Sequence, residues 1–219
     1  MSLIAGVVDV GTVMGKLSSA RPIFHSEADF QHAFAWVLHE IEPSLNIRLE
    51  VRQEEREYVD LFCFGPHGRT AIEFKYFTAR WAGTDPLTEE TFHLRGHAAD
   101  DLARRNFVFD MARLEKFCAA GRALNGFAIM LSNDRRLWNP AVGSRVTRDQ
   151  AFRIHEGQTL SGTLRWGAEG SYFGANQREL GGNYPIAWHD YSRLDGPTGD
   201  FRWLAVAVER LAEGVGRRE

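Results

Sequence analysis

The sequence predicts an α/β (α+β) fold in which a mixed sheet is flanked by helices. Three observations predict it. Helical hydrophobic periodicity recurs around 26–41 and 100–120. Between and after these runs, short stretches at 47–53, 58–64, 69–77 and 127–131 are rich in aromatic and β-branched residues. Two of the stretches are joined by Gly65-Pro66-His67-Gly68, a strong turn signal. Read in order, the elements run helix, three strands, helix, strand, which makes a mixed sheet with helices packed on it.

Taken element by element, residues 1–22 carry Gly6, Gly11 and Gly15 among scattered valines and suggest a loose arm or a short strand pair. Ser26 is placed to cap a helix, with Glu27 and Asp29 in the first turn where negative charge suits the helix dipole. Phe30, Phe34, Val37, Leu38 and Ile41 form its apolar stripe, and Pro43 ends it. Tyr58–Phe64 and Arg69–Phe77 read as an antiparallel hairpin, preceded by a strand at Ile47–Gln53. Residues 80–99 are polar and read as irregular. A long helix follows from Asp100 to Ala120, with Val108, Met111, Leu114, Phe117 and Cys118 as its stripe and Gly121 at its end. Phe127–Leu131 is a short buried strand. The Gly-rich part from 140 to 185 reads as hairpins decorating the core. Phe201–Val208 reads as a final strand, the alternative being a helix that continues into Glu209–Glu213.

With 219 residues, 44% hydrophobic and 25% charged, the chain is long enough to bury a substantial core and reads as one domain over 1–219. Within it the core spans about 24–134, and a C-terminal extension spans about 140–219. A net charge of −3 argues against a histone-like, tail-driven nucleic-acid binder but leaves room for a local basic groove. Cys63 and Cys118 lack C-x-x-C spacing, which argues against a disulfide scaffold or a cysteine-based zinc site and fits a reducing compartment. No apolar run approaches the ~18 residues of a membrane span, and the N-terminal segment lacks a basic region before its apolar residues. The expectation is a cytoplasmic protein with no membrane partner.

Asp60, Glu73 and Lys75 are charged residues inside otherwise apolar strands, and burying them needs a reason. Strand alternation puts Glu73 and Lys75 on one face. If the four-residue turn closes the hairpin, Phe64 faces Arg69, Asp60 faces Glu73 and Tyr58 faces Lys75. Two carboxylates directly opposed, with Cβ atoms about 4.5–5.5 Å apart, repel each other. A raised pKa, a bridging cation or a different register would relieve them. Hard divalent cations favour carboxylate oxygen, and a neighbouring lysine can hold or deprotonate a water or neutralise phosphate charge. That combination suits metal-assisted phosphodiester hydrolysis. The lysine is the more telling because only 3 of 26 basic residues are lysine, so this chain uses arginine for generic positive charge.

The pattern Asp60, twelve residues, then Glu73-Phe74-Lys75 resembles the active-site motif of the PD-(D/E)XK nuclease superfamily. The resemblance covers about residues 24–134 and implies the restriction-endonuclease-like fold, whose core is an αβββαβ arrangement. It implies that Asp60 and Glu73 bind Mg²⁺ or Mn²⁺ together with the backbone carbonyl of Phe74, and that Lys75 is the catalytic lysine. Many members add a glutamate from the first helix. Glu27 is the best match for that metal- or water-supporting group and Glu40 the rival, while Gln31 lies one turn after Glu27. Val59 replaces the proline of the motif. Ala99–Glu115, followed by Ile129–Trp138, is also similar to uncharacterised bacterial members.

The implied function is hydrolysis of nucleic acid, DNA foremost, in restriction, repair or defence. The alternative is a nuclease fold with a lapsed site, acting as a nucleic-acid-binding or protein-interaction module. A second copy of the chain or an unidentified protein are the other candidate partners. Arg104, Arg105, Arg113, Arg135 and Arg136, with His97, are candidate nucleic-acid contacts because arginine grips phosphate bidentately. The plainer alternative for the arginines is local ion pairing, Asp101 with Arg105 and Asp110 with Arg113. His25, His32 and His39 lie about 10.5 Å apart along a helix, too far to share one ion. His93 and His97 lack the glutamate that a zinc-protease motif needs between them. Trp81, Trp138, Trp166 and Trp188 read as core residues in preference to base-stacking platforms.

Overall fold

The structure, a computed structural model, describes residues 2–54, 57–142 and 146–210. It is a mixed α/β arrangement built on a six-stranded sheet. Helix α1 (Val10–Ala20) occupies the segment that the glycines had suggested was a loose arm or strand pair. Asp9 caps it by accepting from Thr12 N at 3.0 Å. Val10, Val13, Met14 and Leu17 are buried at helical spacing. Gly11 and Gly15 each cost the helix roughly 1 kcal/mol, which burial of four apolar side chains more than offsets.

Helix α2 (Glu27–Ile41) is capped by Ser26, whose hydroxyl accepts from Asp29 N at 3.2 Å, as its sequence predicts. Strands β1 (Asn46–Glu54), β2 (Glu57–Gly65) and β3 (Gly68–Phe77) follow. Residues 80–99, expected to be irregular, contain a hairpin of β4 (Trp81–Thr84) and β5 (Thr91–Leu94). Its short strands bury Trp81, Phe92 and Leu94 while their neighbours face solvent. Helix α3 (Asp100–Ala119) ends beside Gly121, whose φ of +68° is open to glycine at no steric cost. Then come β6 (Asn125–Ser132) and a short helix α4 (Arg135–Trp138). The Gly-rich part holds the hairpin of β7 (Thr159–Leu164) and β8 (Arg178–Pro185). Strands β9 (Trp188–Arg193) and β10 (Asp200–Glu209) close the described chain. Phe201–Val208 is thus strand; residues 211–213 of the helical alternative lie outside the described residues.

The sheet order is β1-β2-β3-β6-β10-β9, with β3 and β6 parallel and the other neighbours antiparallel. The last two strands therefore extend the central sheet. Alternation along β3 divides its side chains between two cores. Ile72, Phe74 and Tyr76 face α1 and α2, whereas Ala71 and Phe77 face α3 and the β7–β8 hairpin. Phe30 and Phe34 of α2 meet Phe74 edge-on at 5.2 and 5.0 Å between centroids. Gly126 lets α3 approach the sheet: a Cβ there would lie 2.8 Å from Leu114 Cδ2. Trp81, Trp138, Trp166 and Trp188 are all buried, and Cys63 and Cys118 are free and buried. Among the described residues no helix is long and apolar enough to cross a membrane.

Candidate active site

The predicted register of the β2–β3 hairpin is found from Gly65–Gly68 through Phe64–Arg69 to Leu61–Ile72, where the paired positions end. Asp60 and Glu73 are the next positions, and they do not form the cross-strand pair that the turn implied. Instead, the Asp60 carboxylate accepts from Phe74 N at 2.7 Å. One step along the same edge of β3, Glu27 Oε2 accepts from Tyr76 N at 2.8 Å. Two side-chain carboxylates thus replace the backbone acceptors that β2 would have supplied. The carbonyl of Phe74, on the same edge, accepts from Lys75 Nζ at 2.8 Å.

On the α3 side of the sheet, Lys75 and Glu73 meet Asp110 and Arg113. Lys75 Nζ lies 2.9 Å from Asp110 Oδ2. Arg113 bridges Glu73 Oε2 at 2.5 Å and Asp110 Oδ1 at 3.0 Å. The expected pairing of Asp110 with Arg113 is therefore present, but it sits within the site. Asp110 was not among the predicted site residues. The signal available in the sequence is spacing: Asp110 falls at helical intervals with Ala103, Phe107 and Leu114, which the structure buries along one side of α3, and an acid among them needs a partner.

Six ionisable groups converge here, four acids (Glu27, Asp60, Glu73, Asp110) and two bases (Lys75, Arg113), so full ionisation would leave two uncompensated negative charges. Glu73, Asp110 and Glu27 respond accordingly. Glu73, 1% exposed, is pushed up to about 9 by burial, with Asp110 and Asp60 adding to the shift and Arg113 opposing it. Burial also raises Asp110 and Glu27, each opposed by Lys75. Burial alone would lower Lys75, but Asp110 and then Glu27 outweigh it and hold the side chain as an ammonium. Glu73 Oε1 is buried with no hydrogen-bond partner.

A second layer positions Asp60. Gln31 Nε2 of α2 donates to the Asp60 carbonyl at 2.5 Å and to Glu50 Oε1 at 3.2 Å. Glu50 has a φ of +50°, a left-handed conformation unusual for a residue with a side chain. Such strain costs about 1–3 kcal/mol and persists where surrounding structure enforces it. The paired positions on either side are Leu49–Leu61 and Val51–Val59, so the irregularity lies opposite Asp60.

The remaining predicted residues divide. Glu40 pairs with Lys16 at 2.8 Å and accepts from Trp36 Nε1, so Glu27 is the helix glutamate at β3. Arg104 is not a phosphate contact: it is 2% exposed and committed to Asp149, Asp100 and the Arg136 carbonyl. Arg136 is held by Asp134 and Arg135 by Asp200, both retaining exposure. Arg105 does not pair with Asp101, which binds Arg148 instead; it reaches Asn176 and lies over the Phe109 and Trp166 rings. His97 is exposed beside Lys75 and Glu27, in a cavity that all three line.

Among the described residues no three His, Cys, Asp or Glu side chains are grouped to hold a metal ion. The smaller set of Asp60, Glu73 and the Phe74 carbonyl fits a hard divalent cation chemically. All its donors are oxygens, Mg²⁺ commonly takes only one or two carboxylates, and a cation would compensate the excess charge that full ionisation leaves and satisfy the orphaned Glu73 Oε1. No family model matches the chain, and neither a curated protein nor a solved structure is significantly similar to it.

Proposed function

We propose that the chain is a metal-dependent phosphodiesterase of the restriction-endonuclease-like type, hydrolysing nucleic acid and DNA foremost. The observation that carries this reading is the convergence of Asp60, Glu73, the Phe74 carbonyl and the Lys75 ammonium where β2 leaves β3. Asp60 and Glu73 would hold Mg²⁺ or Mn²⁺ with that carbonyl. The ion, when bound, supplies Lewis acidity to the phosphate and lowers the pKa of a bound water. Lys75, fixed by Asp110, presents an ammonium to charge developing on the phosphate. Of the roles open to this lysine, electrostatic stabilisation is the one its raised pKa supports, in preference to proton abstraction. Glu27 has one oxygen bound to Tyr76 N and the other available to orient a water. Arg113 keeps Glu73 from swinging out of the cluster.

A second reading has its own supporting observation. Lys75 and Arg113 already neutralise Asp110 and Glu73 internally, as a lapsed site serving only binding or assembly would require. One experiment separates the two. The full chain is incubated with Mn²⁺ and single- and double-stranded DNA and RNA. Cleavage that disappears in Asp60→Asn and Lys75→Ala supports the enzyme. Cleavage that survives both substitutions, or none on any substrate together with no calorimetric Mn²⁺ uptake, overturns it.

A further inference from the structure

A cavity of about 300 Å³ opens beside Lys75 and Glu27, between the C-terminal half of β3, Met130 of β6 and the first turns of α3. Much of its wall is apolar, from Phe77, Leu102, Ala103 and Met130. His97 and Asn106 also line it, both exposed and hence at its mouth. His97 is held in place: its ring stacks on Phe77 with centroids 5.0 Å apart, and its Nδ1 accepts from Thr78 N at 3.1 Å.

Hydrolysis of a phosphodiester has no use for an apolar chamber, since phosphate and sugar are polar and hydrated. The base is the part of a nucleotide that gains from one, having apolar faces and a hydrogen-bonding edge. A mostly apolar cavity with a few converging polar groups is the general form of a small-ligand site. Asn106 offers an amide that can donate to and accept from a base edge. A base still stacked in a duplex cannot enter a side cavity unless it leaves the helix.

We propose that this cavity receives one unpaired nucleobase adjoining the phosphate at Lys75, so that the substrate is single-stranded or presents an extruded nucleotide. The proposal rests on the phosphodiesterase reading and adds a substrate class to it. The test measures binding of deoxyadenosine monophosphate and of deoxyribose 5-phosphate to the full chain in Mg²⁺. The nucleotide should bind about tenfold more tightly, within the range that base stacking contributes. Ala99→Leu, which projects into the cavity, should remove that preference and leave deoxyribose 5-phosphate binding unchanged. Asn106→Ala, at an exposed position, should reduce the preference without a fold defect. Equal binding of the two ligands, or a preference untouched by both substitutions, overturns the pocket. Binding of neither overturns it as well. Base-dependent binding without cleavage of any nucleic acid upholds the pocket and overturns only the catalytic reading.

Discussion

Lys75 Nζ lies 2.9 Å from Asp110 Oδ2, an ion pair that ties the central strand β3 to the middle of α3. Asp110 is 6% exposed, so its carboxylate has little water to fall back on. Replacing Lys75 by Met keeps most of the apolar stem, removes the ammonium and strands a buried charge beside Glu27 and Asp60. Removing one partner of a buried pair costs about 3–5 kcal/mol, and the partial exposure of Lys75 places this case at the lower end. Urea denaturation of Lys75→Met without divalent cations should show that loss at pH 8. The deficit should shrink at pH 5 as Asp110 takes up a proton. A loss of equal size at both pH values would mean that lost packing, and not stranded charge, is responsible.

Glu73 dictates a pH dependence of unusual sign for a carboxylate. Its folded pKa is about 9 against an ordinary value of 4.5, because it is buried near Asp110 and Asp60. The folded chain therefore binds more protons than the unfolded chain between those two values. Its contribution to stability is fully present below pH 4.5 and is lost as pH rises toward 9, with a slope of up to about 1.4 kcal/mol per unit. The melting temperature of the cation-free chain should fall from pH 5 to pH 9. Glu73→Gln should flatten the profile, and on the proposed metal-binding reading saturating Mn²⁺ should restore stability at the alkaline end. A profile unchanged in Glu73→Gln would assign the dependence to another group.

The strand that carries the candidate site was legible because its information is local. Alternation along β3 and a four-residue turn suffice to place Asp60, Glu73 and Lys75 together, and Ser26 marks where Glu27 starts its helix. The hairpin register also came out correctly, but the place where it stops did not, since that depends on side chains capturing Phe74 N and Tyr76 N. Asp110 and Arg113 were harder because their partners lie on β3, more than thirty residues away in sequence. Helix α1 was hidden by Gly11 and Gly15, whose low helix propensity tertiary burial overrides. The pairing of β10 with β6 is equally non-local, and nothing in the Gly-rich stretch before it announces that the sheet continues.

Arg104 illustrates how a basic residue on a helix can be structural where phosphate binding was expected. Its guanidinium reaches Asp149 at 2.6 Å, Asp100 at 2.8 Å and the Arg136 carbonyl at 2.6 Å, joining α3 to the segments around α4 and Asp149. Arg104→Ala leaves the buried Asp149 with Arg153 as its remaining cation and opens a gap in the packing. The expected loss is about 3 kcal/mol in denaturant unfolding. Arg105→Ala, more exposed and bound to no carboxylate among the described residues, should cost under 1 kcal/mol. The two variants should differ in the opposite sense when nucleic-acid affinity is measured against salt. On the proposed nucleic-acid reading, Arg105→Ala should reduce the salt dependence of binding, whereas Arg104→Ala should leave it unchanged. Equal stabilities for the two would contradict the structural assignment of Arg104.

Glu50 combines backbone strain with a useful side chain, and substitution can separate the two. Its φ of +50° is open to glycine without penalty, while its carboxylate accepts from the same Gln31 amide that holds the Asp60 carbonyl. Glu50→Gly and Glu50→Ala both lose the hydrogen bond, but only alanine retains the strain. The glycine variant should therefore be more stable than the alanine variant by about 1 kcal/mol, the reverse of the usual order for a strand position. Because both leave Gln31 free to shift, both should weaken the Mn²⁺ binding proposed at Asp60, and to a similar extent. If alanine proves as stable as glycine, the left-handed backbone is not held against a penalty. If Mn²⁺ affinity is unchanged in both, Gln31 positions Asp60 without help from β1.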